Sequence, residues 1–174
     1  DIVINSKVQR PGVCNALETL LINSEIYQDM GSLIIEELLE NKVELFVDET
    51  IKEDFPNLNL ANESHYETEF LDLKLAVKVV ESVDQAIEHI KVYSSGHTEA
   101  ILTESKEVAD TFAKSIDSSV IFINSSTRFT DGEMFGFGSE IGISTQKLHV
   151  RGPMGLEALT NERYVVTGEG TVRG

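Results

Sequence analysis

Residues 74–123, KLAVKVVESVDQAIEHIKVYSSGHTEAILTESKEVADTFAKSIDSSVIFI, alternate two kinds of segment. KLAVKVV (74–80), AILT (100–103) and VIFI (120–123) are short, apolar and rich in β-branched residues, as strands buried on both faces of a parallel sheet tend to be. The stretches between them carry helical periodicity. One opens on Ser82-Val-Asp-Gln85, a capping box in which Ser82 accepts from a backbone amide and Gln85 reaches back, and continues with Ala86, Ile87 and Ile90 on one face. The other opens at Ser105 and repeats Val108, Ala109, Phe112 and Ala113 at helical spacing. The order βαβαβ predicts an α/β fold, a three-layer αβα arrangement around a mostly parallel sheet, with ligands beyond the carboxyl ends of the strands.

Working outward, IVI (2–4) reads as a strand, the segment after Pro11-Gly12 as a helix, GSLIIEELLENK (31–42) as a second helix and VELFVD (43–48) as another strand. Residues 53–69 read as a polar connection. After Ile123 the chain becomes loop-like, NSSTRFTDGEMFGFGSEIGIS, with Gly132, Gly136, Gly138 and Gly142 among polar residues, a composition found in ordered functional loops. The tail segments RYVVTG and TVRG, following RGPMG, read as one or two late strands. The boundaries expected are an α/β domain over 1–150 and a terminal β arm over 151–174.

The 174 residues carry 30 acidic side chains and a formal charge of −16, which argues against a nucleic-acid surface, since phosphate binding needs clustered Lys and Arg. No apolar stretch reaches the length of a membrane span, and DIVINSKV lacks the basic flank and apolar centre of a signal peptide, so no membrane partner and a cytoplasmic location are expected. A single cysteine and four scattered histidines offer neither an internal disulfide nor a metal-ligand pattern.

That cysteine, in QRPGVCNALETLL (9–21), is the first candidate for chemistry. Val13, Leu17, Leu20 and Leu21 share a face at helical spacing, which places Cys14 in a first helical turn, where unpaired amides and the dipole favour a thiolate. The competing reading is a small buried thiol. A Cys-His hydrolase is a further possibility, with His97, His65 or His149 as base, although no spacing ties any of them to Cys14. His97 reads as a loop histidine bonded locally, and His65 and His89 as solvated. Gly136-Phe-Gly138 fails the dinucleotide fingerprint, and no Walker lysine follows. NSSTR (124–128), directly after a strand, offers an amide, three hydroxyls and Arg128, which suits a carboxylate or phosphate. Glu69 is, on composition, one solvated carboxylate among many.

Taken together, QRPGVCNALETLL, VVESVDQAIEHIKVYSSGHTEAI and NSSTRFTDGEMFGFGSEIGISTQKLHVRGPMGLEAL resemble the γ-glutamyl phosphate reductase (glutamate-5-semialdehyde dehydrogenase) family of proline biosynthesis, within the aldehyde dehydrogenase superfamily. The run Val80, Ala86, His89, Ile90, Gly96-His97-Thr98-Glu99 and Ile101 resembles that family's signature, and RPGVCNA its nucleophile segment. The resemblance covers the catalytic part only and implies that an N-terminal cofactor domain is absent from this chain. It implies Cys14 as the nucleophile that displaces phosphate from γ-glutamyl phosphate, giving a thioester that NADPH reduces. Glu69 is similar to the glutamate that holds the nicotinamide ribose, although the usual Phe-Gly-Pro does not follow it. Ser125, Ser126, Thr127 and Arg128 resemble the region receiving the substrate's amino-acid end, while Asn15 contacts substrate or supports the turn. The resemblance further implies a homo-oligomer formed through the terminal arm and functional coupling to glutamate 5-kinase. With most of the NADPH site elsewhere, neither tight cofactor binding nor activity is expected of this chain alone. The alternatives are an idle interaction domain and a Cys-dependent aldehyde dehydrogenase of another substrate.

Overall fold

The computed structural model describes residues 1–138 and 141–174; Ser139 and Glu140 of the glycine-rich loop lie outside them. The order is α1 (Ile2–Val8), β1 (Thr19–Asn23), α2 (Ser24–Glu40), β2 (Glu44–Val47), α3 (Glu49–Asp54), β3 (Asn59–Leu60), α4 (Glu63–Glu67), β4 (Lys74–Val80), α5 (Val83–Tyr93), β5 (Thr98–Ile101), α6 (Lys106–Ser115), β6 (Val120–Ile123), β7 (Ile141–Ile143) and β8 (Gly152–Met154). The α/β class and the parallel pairing expected from the sequence are both present, with β1-β4-β2-β3 in one parallel sheet.

The βαβαβ run does not build one sheet. β4 lies between β1 and β2 with both of its edges occupied, so β5 pairs in parallel with β6 in a second sheet. Each sheet has its own apolar cluster. Ile22, Leu45, Val47, Leu75 and Val77 pack with Ile35, Leu38 and Ile51 in one, and Ile87, Phe112 and Ile116 form the other.

Both middle helices start where expected. Ser82 accepts from the Gln85 amide at 3.2 Å, while the Gln85 side chain reaches one residue further back, to the Glu81 amide at 2.6 Å. Ser105 accepts from the Val108 amide at 3.3 Å.

Four local expectations are corrected. IVI (2–4) belongs to helix α1, whose Val3, Ile4 and Val8 pack on the first core at helical spacing. The segment after Cys14 is not a helix: Leu20 and Ile22 belong to β1, paired with β4 in register Leu20↔Val77 and Ile22↔Val79. A short apolar run fits both periods, and the ladder decided it. The polar connection over 53–69 contains the end of α3, then β3 and α4, started by Asp48 and Asn62 caps. The late strand is β8, pairing antiparallel with β7, whereas residues 161–174 carry no helix or strand and leave Tyr164, Val165, Val166 and Val172 exposed without a ladder partner. The hairpin is anchored by Asp117, which accepts from Arg151 at 2.6 Å and from Lys147.

Candidate active site

Cys14 is exposed on a turn, not at a helix start, so the helix-dipole argument for its thiolate does not apply. Pro11 and Gly12 end α1's direction, and the Ala16 amide closes onto the Val13 carbonyl at 3.0 Å with Cys14 and Asn15 between them. The Leu17 amide bonds the Ser6 carbonyl at 3.0 Å, tying the far side of the turn to α1.

Beneath the turn, Lys7 is completely buried and donates to Glu18 Oε2 at 2.9 Å, while Glu18 Oε1 accepts from the Leu71 amide at 3.1 Å. Burial pushes the Lys7 ammonium down and the Glu18 carboxyl up, and their mutual attraction opposes both shifts. This pair closes the loop that displays Cys14. Nothing in a lone lysine 11 residues from a glutamate would have revealed it.

The NSSTR loop meets the Cys14 turn from the opposite side. Asn124 adopts φ 55°, a conformation asparagine tolerates, and its side chain mimics a strand edge against Thr103, accepting from its amide at 2.8 Å and donating to its carbonyl at 2.9 Å. The buried Ser126 hydroxyl accepts from Ser6 Oγ at 3.1 Å and from the Arg128 amide at 3.2 Å. The Thr127 amide donates to Ser6 Oγ at 3.3 Å, and its hydroxyl to the Asn15 carbonyl at 2.7 Å. Asn15 returns the contact, donating through Nδ2 to the Thr130 carbonyl at 2.5 Å, with its Oδ1 buried and unpartnered. Asn15, Ser126 and Thr127 thus form a hydrogen-bonded frame around the turn. Ser125 and Arg128 keep exposed surface, and Arg128 Nε donates to Gln9 at 2.7 Å. Ser6 and Thr130 belong to this frame without any signal in the sequence, since isolated hydroxyls are common in loops.

From the frame the chain of contacts continues into SSGHTEA. Thr98 Oγ1 donates to Thr130 Oγ1 at 3.0 Å and lies 2.7 Å from His97 Nδ1. Gly96, at φ +71°, supplies the left-handed corner that lets its carbonyl accept from both the Ser119 amide and hydroxyl. Glu99 accepts from Ser118 at 3.1 Å and from Ser94, and burial raises its carboxyl.

Cys14, Thr127, His97 and the exposed Glu69 line one open cleft of about 1720 Å³. His65 and His149 do not line it; His65 instead accepts from the Asn62 amide at 3.0 Å and stacks on Phe46. His89 is not solvated as expected. It is buried, wedged between Tyr66 and Tyr93 with Nε2 unpartnered, and burial, aided by Lys78, lowers its pKa to about 4. Its folded pKa lies below the unfolded 6.5, so the neutral form stabilises the fold fully above pH 6.5 and the contribution is lost as pH falls through about 4. The full shift corresponds to about 3 kcal/mol. In urea titrations between pH 7 and 4, His89→Phe should flatten this part of the pH dependence; an unchanged slope would refute the buried neutral imidazole.

No family model matches the chain. A curated relative, the γ-glutamyl phosphate reductase of Thermoanaerobacter sp. (strain X514), is 53% identical over 173 residues, 99% of this chain and 42% of that protein. Over this region the chain is similar to γ-glutamyl phosphate reductase. The crystal structure of the Thermotoga maritima γ-glutamyl phosphate reductase superposes with TM-score 0.90 at 51% identity, over 99% of this chain and 42% of that one. An acetylating aldehyde dehydrogenase from Geobacillus thermoglucosidasius shares the fold, with TM-score 0.55 at 16% identity, over 74% of this chain and 37% of that one. The chain therefore spans about two fifths of the γ-glutamyl phosphate reductases it matches, within an aldehyde dehydrogenase-like architecture. Among the described residues no helix is long and apolar enough to cross a membrane, and no cluster of His, Cys, Asp or Glu is placed to hold a metal.

Proposed function

We propose that this chain supplies the nucleophile and the substrate-binding loop of an NADPH-dependent γ-glutamyl phosphate reductase. The observation that carries the reading is Cys14, exposed on a turn held by α1, Glu18 and the NSSTR frame, at the wall of a cleft that Glu69 also lines. Its sulfur attacks the acyl carbon of γ-glutamyl phosphate, the C–O bond to phosphate breaks, and phosphate leaves with the electron pair. A thioester on Cys14 results. Ser125 and Arg128, the two outward members of the loop, orient the anionic substrate, while Asn15, Ser126 and Thr127 hold the turn against the loop.

Glu69 fits one edge of a dinucleotide site: an exposed carboxylate on the cleft wall accepts from a ribose hydroxyl. When bound, NADPH supplies the hydride that takes the thioester to the aldehyde level. Release of glutamate 5-semialdehyde then returns Cys14 to its thiol. The rest of the cofactor site belongs to the part of the relatives that this chain does not span, so the chain alone binds NADPH weakly and is inactive. The exposed apolar tail over 161–174 serves a homo-oligomeric contact, and the lability of an acyl phosphate favours coupling to the kinase that makes it.

The test uses the full-length polypeptide and runs the reaction backwards, with glutamate 5-semialdehyde, phosphate and NADP⁺. Phosphate-dependent NADPH formation, abolished by stoichiometric iodoacetamide labelling of Cys14, is expected. Activity that survives complete labelling would sink the reading.

A further inference from the structure

Thr130 ties the residue after Cys14 to the residue after His97. Its carbonyl accepts from Asn15 Nδ2 at 2.5 Å, and its hydroxyl accepts from Thr98 Oγ1 at 3.0 Å. Thr130 is itself buried, and its amide closes onto the Thr127 carbonyl at 3.0 Å, so the link belongs to the packed frame and not to the surface. Each of the two segments that meet there leads into a parallel strand, the Cys14 turn into β1 and the Gly96-His97 corner into β5. The corner is also held from its far side, where the His97 carbonyl accepts from the Val120 amide at 3.2 Å. Cys14 and His97 are thus set from one anchor.

The same hydrogen bonds choose the tautomer of the His97 ring. A threonine has a single hydroxyl hydrogen, and that of Thr98 goes to Thr130. Towards His97 Nδ1, 2.7 Å away, Thr98 Oγ1 can only accept, so Nδ1 carries the hydrogen. Nε2 is then the atom at which the ring gains and loses a proton. A proton carrier is what the acyl transfer to Cys14 requires. Phosphate that leaves with the electron pair carries one more negative charge than it had in the ester, unless a proton arrives with it. The other side chains of the frame are poor sources: Arg128 does not give up its proton, and the Thr127 hydroxyl is committed to the Asn15 carbonyl. His89 is wedged between Tyr66 and Tyr93, where burial keeps it neutral.

We propose that His97 is a further catalytic residue, the general acid that protonates the departing phosphate through Nε2. The assignment rests on the function proposed above. In the forward direction the Cys14 thiolate forms the C–S bond, the C–O bond breaks with its electron pair going to the phosphate oxygen, and the Nε2 proton of the imidazolium follows it. The products are the thioester, hydrogen phosphate and a neutral His97, which solvent reprotonates. In reverse, neutral Nε2 takes the proton of hydrogen phosphate while that oxygen attacks the thioester. Nothing is oxidised or reduced in this step, so it is separable from hydride transfer. Thr98 is a positioning residue, since it holds the hydrogen on Nδ1 and reserves Nε2 for phosphate.

That separation gives the test, run on the full-length polypeptide in reverse with rapid mixing of glutamate 5-semialdehyde, NADP⁺ and phosphate. His97→Asn keeps an amide N–H near the place of Nδ1–H, so the bond to Thr98 can survive, and it removes Nε2. The variant should form about one NADPH per Cys14 in a fast burst, because hydride transfer precedes phosphate attack, and then turn over about 10²-fold or more below the parent. His97→Gln, whose amide reaches the Nε2 position but carries no proton across, should fail in the same way, and it decides the matter if the Asn variant does not fold. A merely structural role would cost the burst itself. Loss of the burst in a variant whose circular dichroism is unchanged therefore overturns the proposal, as does steady turnover within tenfold of the parent. If the parent forms no NADPH in response to phosphate, the function proposed above fails and this assignment with it. If the parent responds and both variants match it, the assignment of His97 alone falls.

Discussion

Cys14→Ser in the full-length polypeptide is expected to lower kcat by about 10⁴-fold or more, with the fold unchanged. Serine is nearly isosteric, and the turn is shaped by the Ala16 and Leu17 amides and by the Asn15 side chain, so the site should keep its geometry. What changes is the nucleophile. A hydroxyl is far less ionised than a thiol near neutral pH and a weaker nucleophile towards an acyl carbon. An oxygen ester, if formed, would also be a poorer hydride acceptor than a thioester. Substrate KM should move little, because Ser125 and Arg128 are untouched. Steady-state rates with circular dichroism as a folding control measure this, and a fall in kcat of less than tenfold would remove Cys14 from the nucleophile role.

The middle of the fold was readable because several signals agreed there: β-branched runs of strand length, caps at Ser82 and Ser105, and apolar residues on one helical face. Errors fell where a short apolar run fits two periods. IVINSKV and LETLLIN satisfy both, and tertiary partners chose helix for the first and strand for the second. Sheet membership was hidden for a different reason, since β4 is claimed on both edges by strands from earlier in the chain. At the site, Cys14 and the NSSTR loop stood out by residue type and motif and Glu69 only through the family resemblance, but the supports did not. Ser6, Lys7, Glu18 and Thr130 are ordinary residues whose importance lies in contacts across as many as 121 positions of sequence, and such contacts leave no local pattern.

The largest stability effect is expected at one of those supports. Glu18→Ala leaves the Lys7 ammonium fully buried without its carboxylate and deprives the Leu71 amide of its acceptor. Removing one partner of a buried pair costs about 3–5 kcal/mol, a large part of the stability of a domain this size, and should shift the urea midpoint of unfolding accordingly. A loss below about 1 kcal/mol, the range of exposed pairs, would show that water reaches the site. The double variant Lys7→Met with Glu18→Leu separates two roles. Replacing both charges by apolar side chains of similar volume should restore most of the lost stability, because no charge is left buried alone. It would not restore the bond from Glu18 to Leu71, which holds the Cys14 loop against the segment that carries Glu69. In the full-length polypeptide the double variant should therefore be stable yet slow. If it is stable and keeps the parent kcat, the pair serves folding alone, and the positioning of Cys14 falls to the Ser6, Thr127 and Asn15 contacts.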